Sequence, residues 1–323
     1  MTPLEHEDSQ VLLSFVVVNR NTANLLVRCL DHIFASELPQ RPEAIVVDNG
    51  STDDSVARVR ASYPEVVLIE AGRNLGFAAA NNLALERARG RFMLLVNTDA
   101  MLEADCAAAL LRLMDSDGRI GMAGPQLLNA DGTLQTSYEA VPTLATETLN
   151  RSLLKRLFPA RFPHKSRKLA GPTEVDALIG AVMLLRREAL AQLGGFDEGY
   201  FFFLEETDLA VRMRRGGWKI VHEPQARAVH LQGATAKTYQ AAARIEFYRS
   251  RYRFFERHYG RAAAGVLKTA LIANLTLNVI ALGLATLATV GRASSVANQF
   301  RVRSDLWRWH LRGCPPGPGL PRD

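Results

Sequence analysis

Several large classes of protein are excluded by what this chain has little of. Its three cysteines, Cys29, Cys106 and Cys314, are odd in number and form no Cys-x-x-Cys pair. That argues against a disulfide framework and for a reducing compartment. Gly72-Arg-Asn-Leu-Gly76 lacks Gly-x-Gly-x-x-Gly spacing, and no Gly-x4-Gly-Lys-[Ser/Thr] occurs, so nicotinamide and P-loop chemistry are disfavoured. The acidic start, Met1-Thr-Pro-Leu-Glu-His-Glu-Asp8, has no apolar core, and no signal peptide is expected. No internal repeat is visible.

The composition, 48% hydrophobic and 22% charged over 323 residues, is that of a globular protein with one large domain and an appendage. The formal charge of +6 is unevenly spread. Residues 236–323 carry 14 Lys/Arg against 4 Asp/Glu, while residues 1–235 carry 25 against 29. A basic appendage on an acidic body implies an anionic partner surface, nucleic acid or membrane. Thr269–Val290 holds 22 residues without a charge, long enough to span a bilayer and too apolar for a groove-binding element. Trp307 and Trp309 among Arg301, Arg303, Arg308 and Arg312 suit a headgroup region. Membrane attachment by a spanning or surface-lying helix is therefore expected, and nucleic acid is not. A buried helix is the plainer alternative. A second basic stretch, Arg151–Lys168, has seven Lys/Arg and no acid; it reads as a surface loop or as a mobile element facing an anionic acceptor. The Pro/Gly tail from Cys314 is expected to be disordered. The expected division is a catalytic domain over 1–240, a helical region over 241–313 and a tail over 314–323.

Through the first half, apolar β-branched runs alternate with helical patterns, which predicts a mostly parallel sheet flanked by helices. Beyond Ile120 the elements shorten and look mixed. The run Arg91-Phe-Met-Leu-Leu-Val-Asn-Thr-Asp99 reads as a buried central strand ending on a carboxylate, and Glu43-Ala-Ile-Val-Val-Asp48 ends the same way. Ligands of open α/β sheets gather at such ends. Each Asp alone has an ordinary reading as a helix cap. Two of them without a glycine phosphate loop suggest a nucleotide diphosphate held through a metal.

A third acidic cluster, Glu205-Glu206-Thr207-Asp208, follows Phe201-Phe-Phe-Leu204 where a helix begins. Helix-dipole chemistry explains one or two of these acids, but mutual repulsion needs a partner or cation to offset it. Gly180 and Ala181 place small residues where backbone approaches a ligand. His230 ends a strand; alone, such a histidine is more often a hydrogen-bonded structural residue.

Together these residues resemble the family 2 glycosyltransferases, which have the GT-A fold, over about residues 11–240. Asn19-Arg20 and Val47-Asp48-Asn49-Gly50-Ser51-Thr52-Asp53 are similar to the family's base- and ribose-contacting segments. Asn74-Leu75-Gly76-Phe77-Ala78-Ala79-Ala80-Asn81-Asn82 is similar to its nucleotide-facing helix start. Asn97-Thr98-Asp99 stands at the metal-binding acidic motif, with Asn97 where a first acid is common. Gly194-Gly195-Phe196-Asp197-Glu198 and Glu205-Glu206-Thr207-Asp208 match the acceptor side, with Glu206 in a place usually held by Asp. The resemblance is greatest to bacterial rhamnosyltransferase-type enzymes acting on lipid-linked saccharides. It implies donor contacts at Asn19, Asp48, Asn74, Gly76, Asn81, Asn97, Gly180 and Ala181, and Mg²⁺ or Mn²⁺ on Asp99 helped by His230. Glu206 is the implied catalytic base, ahead of Asp208 and Glu205. The expected reaction is an inverting transfer from a nucleotide diphosphate sugar to a saccharide or polyprenyl-linked acceptor, at the cytoplasmic face of the inner or plasma membrane. The rivals are a catalytically silent scaffold at the membrane and a sugar nucleotidyltransferase, the latter disfavoured by the lack of an N-terminal Gly-rich, Arg/Lys-bearing phosphate loop.

Overall fold

The computed structural model describes residues 11–149, 169–231, 240–288, 294–317 and 319–322. The basic stretch Arg151–Lys168 lies outside the described residues. The chain runs β1 (Leu13–Asn19), α1 (Ala23–Phe34), β2 (Glu43–Asp48), α2 (Ser55–Ser62), β3 (Val67–Glu70), α3 (Phe77–Arg87), β4 (Phe92–Val96), β5 (Ala100–Leu102) and α4 (Cys106–Ser116). There follow β6 (Ile120–Leu128), β7 (Tyr138–Glu139), α5 (Leu144–Thr148), β8 (Thr173–Glu174), β9 (Ala177–Leu178), β10 (Val182–Arg186), α6 (Arg187–Leu193), α7 (Glu205–Arg215) and β11 (Lys219–His230). Two long helices close the chain, α8 (Gln240–Ala288) and α9 (Ser294–Leu311).

The main sheet has the order β3-β2-β1-β4-β10-β6-β11-β5, and β8 pairs with β11 at its side. Pairings among β3, β2, β1 and β4 are parallel; β10 is antiparallel to both neighbours, and β11 runs parallel to β6. The mixed second half expected beyond Ile120 is this antiparallel insertion. Alternation along the strands builds two cores. Phe15, Val17, Val46, Phe92 and Leu94 face one side with Leu26, Leu30, Ile33 and Leu110 from α1 and α4. Val16, Ile45, Val47, Met93 and Leu95 face the other, against Ala80 and Ala84 of α3 and Leu209 and Met213 of α7. A period of two on strands and 3.6 on helices requires this three-layer arrangement.

Chain order reverses at β1, with β2 and β3 on one side and β4 on the other. The carboxyl ends of those strands therefore diverge and leave a crevice, the usual ligand position in open α/β sheets. Beyond the sheet, α8 kinks at Gly260, where φ is 87°. Its first part packs on the body through Phe254 and Phe255, both 0% exposed, against Tyr200 and Leu204. Its second part pairs with α9 through Leu275, Leu306 and Trp309. Among the described residues, α8 is the one helix long and apolar enough to cross a membrane.

Candidate active site

A cavity of about 370 Å³ fills the crevice, within the usual size of small-ligand sites. Val18 at the end of β1, with Arg20 and Thr22 beyond it, forms one wall, and Asn97, Thr98 and Asp99 after β4 form another. Asn19 and Asp48 stand one layer behind. They are register partners at the ends of β1 and β2, and Asn19 Nδ2 donates to Asp48 Oδ1 at 3.2 Å. Asp48 Oδ2 accepts from the Ser51 amide at 3.0 Å, so this pair shapes the loop that presents Asn49. The Asn49 side chain in turn accepts from the Leu75 amide at 2.8 Å and donates to Asn74 Oδ1 at 3.0 Å. Asn49, Asn74 and Gly76 all line the cavity.

Gly76 has φ of 84°, and a Cβ there would lie 2.4 Å from the Phe201 carbonyl oxygen. Glycine is thus required for the aromatic loop to approach, which it does through a Phe77 N–H to Phe201 O bond of 2.7 Å. Asn81 is 1% exposed and donates to the Phe77 carbonyl inside α3, away from the cavity.

On the β4 side, the Asn97 amide donates to the Ala181 carbonyl at 2.9 Å, which brings Gly180 and Ala181 to the cavity wall. Asp99 Oδ1 and His230 Nε2 are 3.4 Å apart, with side chains 15% and 11% exposed. The antiparallel pairing of β11 with β5 sets this approach, matching His230 to Ala100. Among the described residues no three His, Cys, Asp or Glu side chains converge as a ligand set. Asp99 and His230 supply one hard oxygen and one imidazole nitrogen, a donor pair that fits Mg²⁺ or Mn²⁺ if diphosphate and water complete the shell.

The third wall is the aromatic loop and the start of α7. Phe203 and Leu204 have φ of 74° and 66°, left-handed values that cost each residue roughly 1–3 kcal/mol. This strain aims Glu205 and Glu206 into the cavity. Oε2 of each is shielded from water and without a hydrogen-bond partner. Burial, followed by the charge of Glu139, pushes the Glu206 carboxyl up to about 7. Burial, then Glu206 itself, pushes Glu205 well above the carboxylate range. Gly180 faces Glu206; a Cβ there would sit 3.5 Å from its carboxyl carbon.

Asp208 is 0% exposed and faces away from the cavity lining. Its Oδ2 accepts from Arg212 Nε at 2.7 Å, and its Oδ1 meets His258 Nε2 at 2.8 Å and Arg257 Nε at 3.2 Å. Burial acts to raise this carboxyl, but His258, Arg212 and Arg257 outweigh it and hold it below the usual range.

The tail read from sequence as disordered instead closes over the cavity in this structure. Leu320 and Pro321 line it, and the Pro321 carbonyl accepts from Asn74 Nδ2 at 2.6 Å. Arg322 stacks on Phe201 at 4.5 Å and pairs with the buried Glu246 at 2.9 Å, contacts that offset the chain entropy a Pro/Gly composition signals. Sequence reasoning did not single out Gln135, which meets His230 Nδ1 at 2.7 Å, or Glu139, which accepts from Thr207 Oγ1 at 3.4 Å.

A switch-point crevice with a strand-end acid on one wall and helix-start carboxyls on another is the arrangement that the resemblance to GT-A glycosyltransferases implies. Residues 14–194 match the family described as Glycosyl transferase family 2, and the chain belongs to that family. It is 30% identical over 240 residues to the N-acetylglucosaminyl-diphospho-decaprenol L-rhamnosyltransferase of Mycobacterium tuberculosis, covering 68% of this chain and 77% of that protein. This places it in the rhamnosyltransferase-like branch. The fold is shared with GalNAc-T7 solved with UDP, GalNAc and Mn²⁺ (TM-score 0.56, 16% identity, 79% of this chain and 52% of that one). It is also shared with a Pyrobaculum calidifontis mannosyltransferase in complex with GDP-Man and Mn²⁺ (TM-score 0.53, 20% identity, 93% of this chain and 86% of that one).

Proposed function

We propose that this glycosyltransferase moves a sugar, with rhamnose the first candidate, from a nucleotide diphosphate sugar to a polyprenyl-linked saccharide in cell-surface polysaccharide synthesis. The M. tuberculosis relative, named for a rhamnosyl transfer to a decaprenol-linked sugar, supports the substrate class. The observation that carries the reading is the sharing of one cavity by Asp99, His230 and a Glu206 whose carboxyl is pushed up to about 7 by burial.

In this reaction the acceptor hydroxyl oxygen bonds to the anomeric carbon as the bond from that carbon to the diphosphate breaks, with inversion. Glu206 takes the hydroxyl proton on its carboxylate, and a pKa near 7 matches a base to its working pH. Asn49, Asn74 and the backbone at Gly76 orient the nucleotide, while Phe201–Phe203 exclude water from the acceptor side. Asp99 and His230 would hold a divalent cation, which when bound neutralises charge on the diphosphate as a Lewis acid. The Mn²⁺ in the two solved structures of this fold supports that assignment.

The protein works at the cytoplasmic face of the membrane. Leu277, Ile280, Leu284 and Leu287 are 70%, 55%, 64% and 75% exposed, and their spacing of three and four makes one apolar stripe along α8. Full-length protein in micelles, given dTDP-, UDP- and GDP-sugars with a polyprenyl diphosphate-linked acceptor, should release nucleoside diphosphate only when donor and acceptor are both present. Binding of donors without any such release would instead favour a silent scaffold.

A further inference from the structure

A polar network behind His230 runs through Gln135 and Asn129, neither of which has a part in the proposed reaction. Gln135 is 7% exposed. Its Nε2 donates to the His230 carbonyl at 3.0 Å and to Asn129 Oδ1 at 2.9 Å. Asn129 is itself oriented, because its Nδ2 donates to Thr133 Oγ1 at 2.9 Å. With both amide hydrogens committed to acceptors, Gln135 can present only Oε1 to His230 Nδ1, at 2.7 Å. A carbonyl oxygen accepts and does not donate, so Nδ1 must carry the hydrogen. The neutral ring then bears its lone pair on Nε2, the atom that faces Asp99. An Nε2 lone pair and an anionic oxygen 3.4 Å apart repel one another, and a cation held by both removes that repulsion.

We infer that Gln135 is a positioning residue that fixes the His230 ring and tautomer so that Nε2, together with Asp99, receives a divalent cation. The inference rests on the proposed metal assignment and adds the residue that sets its affinity. Partners of this kind, one step behind a ligating histidine, typically change metal affinity by about 10–100-fold.

The test uses full-length protein carrying ¹⁵N-histidine in micelles at mildly alkaline pH, with the His230 signals identified by their loss in His230→Gln. Long-range ¹H–¹⁵N spectra of the metal-free protein should show His230 with hydrogen on Nδ1. In Gln135→Leu the hydrogen should move to Nε2, where Asp99 can accept it. Mn²⁺ titrations with UDP, GDP or dTDP should weaken by about 10–100-fold in that variant, with nucleotide binding in the absence of metal unchanged. Gln135→Glu keeps an acceptor for Nδ1–H and should restore the tautomer and most of the Mn²⁺ affinity. Should Gln135→Leu fail to fold, Asn129→Ala frees the Gln135 amide to turn over and should give a smaller shift in the same direction. Hydrogen on Nε2 in the unaltered protein would overturn the inference, as would a folded Gln135→Leu protein that binds Mn²⁺ normally. An Nδ1–H tautomer with no Mn²⁺ binding beside any of the three nucleotides would overturn the metal assignment, and with it the role of Gln135 toward a cation.

Discussion

Replacing Glu206 by Gln should make the protein a poorer enzyme and, above mildly acidic pH, a more stable one. In the unfolded chain this carboxyl ionises near its ordinary 4.5, whereas in the cavity burial and Glu139 push it up to about 7. Below 4.5 both states hold the proton and the residue contributes no pH dependence. Between 4.5 and 7 the unfolded chain has released the proton and the folded one has not, so stability falls as pH rises. The slope is about 1.4 kcal/mol per pH unit, which over this interval is roughly 3 kcal/mol. That is a ceiling, since water entering an open cavity screens part of it. Glutamine keeps the shape and cannot ionise, so urea midpoints of the two proteins should converge near pH 4 and separate steadily up to about pH 7, with the variant the more stable. Transfer should fall by roughly 10²–10⁴-fold with donor binding intact, and Glu206→Asp, the more usual residue of the family, should retain part of the rate. A stability difference independent of pH would refute the buried-proton argument. Normal turnover by Glu206→Gln would refute the base assignment.

Asp99→Ala should nearly abolish transfer and metal-dependent nucleotide binding, with His230→Ala less severe; full activity in excess EDTA with authentic substrates would remove the cation from the reaction. Asp208→Asn should cost up to about 3 kcal/mol in denaturation, because it leaves Arg212 and Arg257 short of a buried countercharge while both keep partial access to water; donor affinity should change little, and a folded, inactive variant would move the base to Asp208. Protein ending at Tyr259 should be soluble and bind nucleotide, while the full chain floats with anionic liposomes; a full chain that stays in solution would mean the apolar stripe is covered by protein. Ending the chain at Gly313 removes Leu320 and Pro321 from the cavity, so calorimetry should give a lower nucleotide Kd, since apparent affinity scales with the fraction of open sites; an unchanged Kd would show that the segment does not compete.

The parts of this site that were legible in sequence are those set by local pattern. Buried runs of four and five apolar residues mark β2 and β4, and the polar residue that ends each run marks the ligand edge. Asp99 and the start of α7 at Glu205 follow from that pattern. What it cannot carry is which polar residue meets which. Asn19 and Asp48 stand at strand ends as expected, but their parallel register turns them toward each other and passes the cavity wall to Asn49. Asp208 lies in the same acidic run as Glu206, yet as a helical neighbour it points about 200° around the axis, toward Arg257 and His258 some fifty residues later. Gln135 and Glu139 flank or sit in β7, two residues long, too short for any periodicity, and their partners lie 95 and 68 residues away. The tail was read from composition alone, which records what a segment costs to order and not the Glu246 and Phe201 contacts that order it.

Those distant partners tie the chemistry to the long helix α8. Ser250 Oγ donates to the Phe202 carbonyl at 2.8 Å, within the strained loop. Arg253 and Arg257 both pair with Asp197, one turn of chain before that loop, and Arg257 and His258 hold Asp208 inside α7. The left-handed backbone at Phe203 and Leu204 has no glycine to relieve it, so its cost must be met by contacts on either side, and α8 supplies several of them. Beyond the Gly260 kink the same helix carries the apolar stripe. A surface that binds the stripe is therefore connected, across the Gly260 kink, to the residues that aim Glu206. Substitutions at Gly260 that abolish its left-handed φ would redirect the stripe while leaving Ser250 through His258 on the body, which separates the anchoring of the active site from the orientation of the apolar helix.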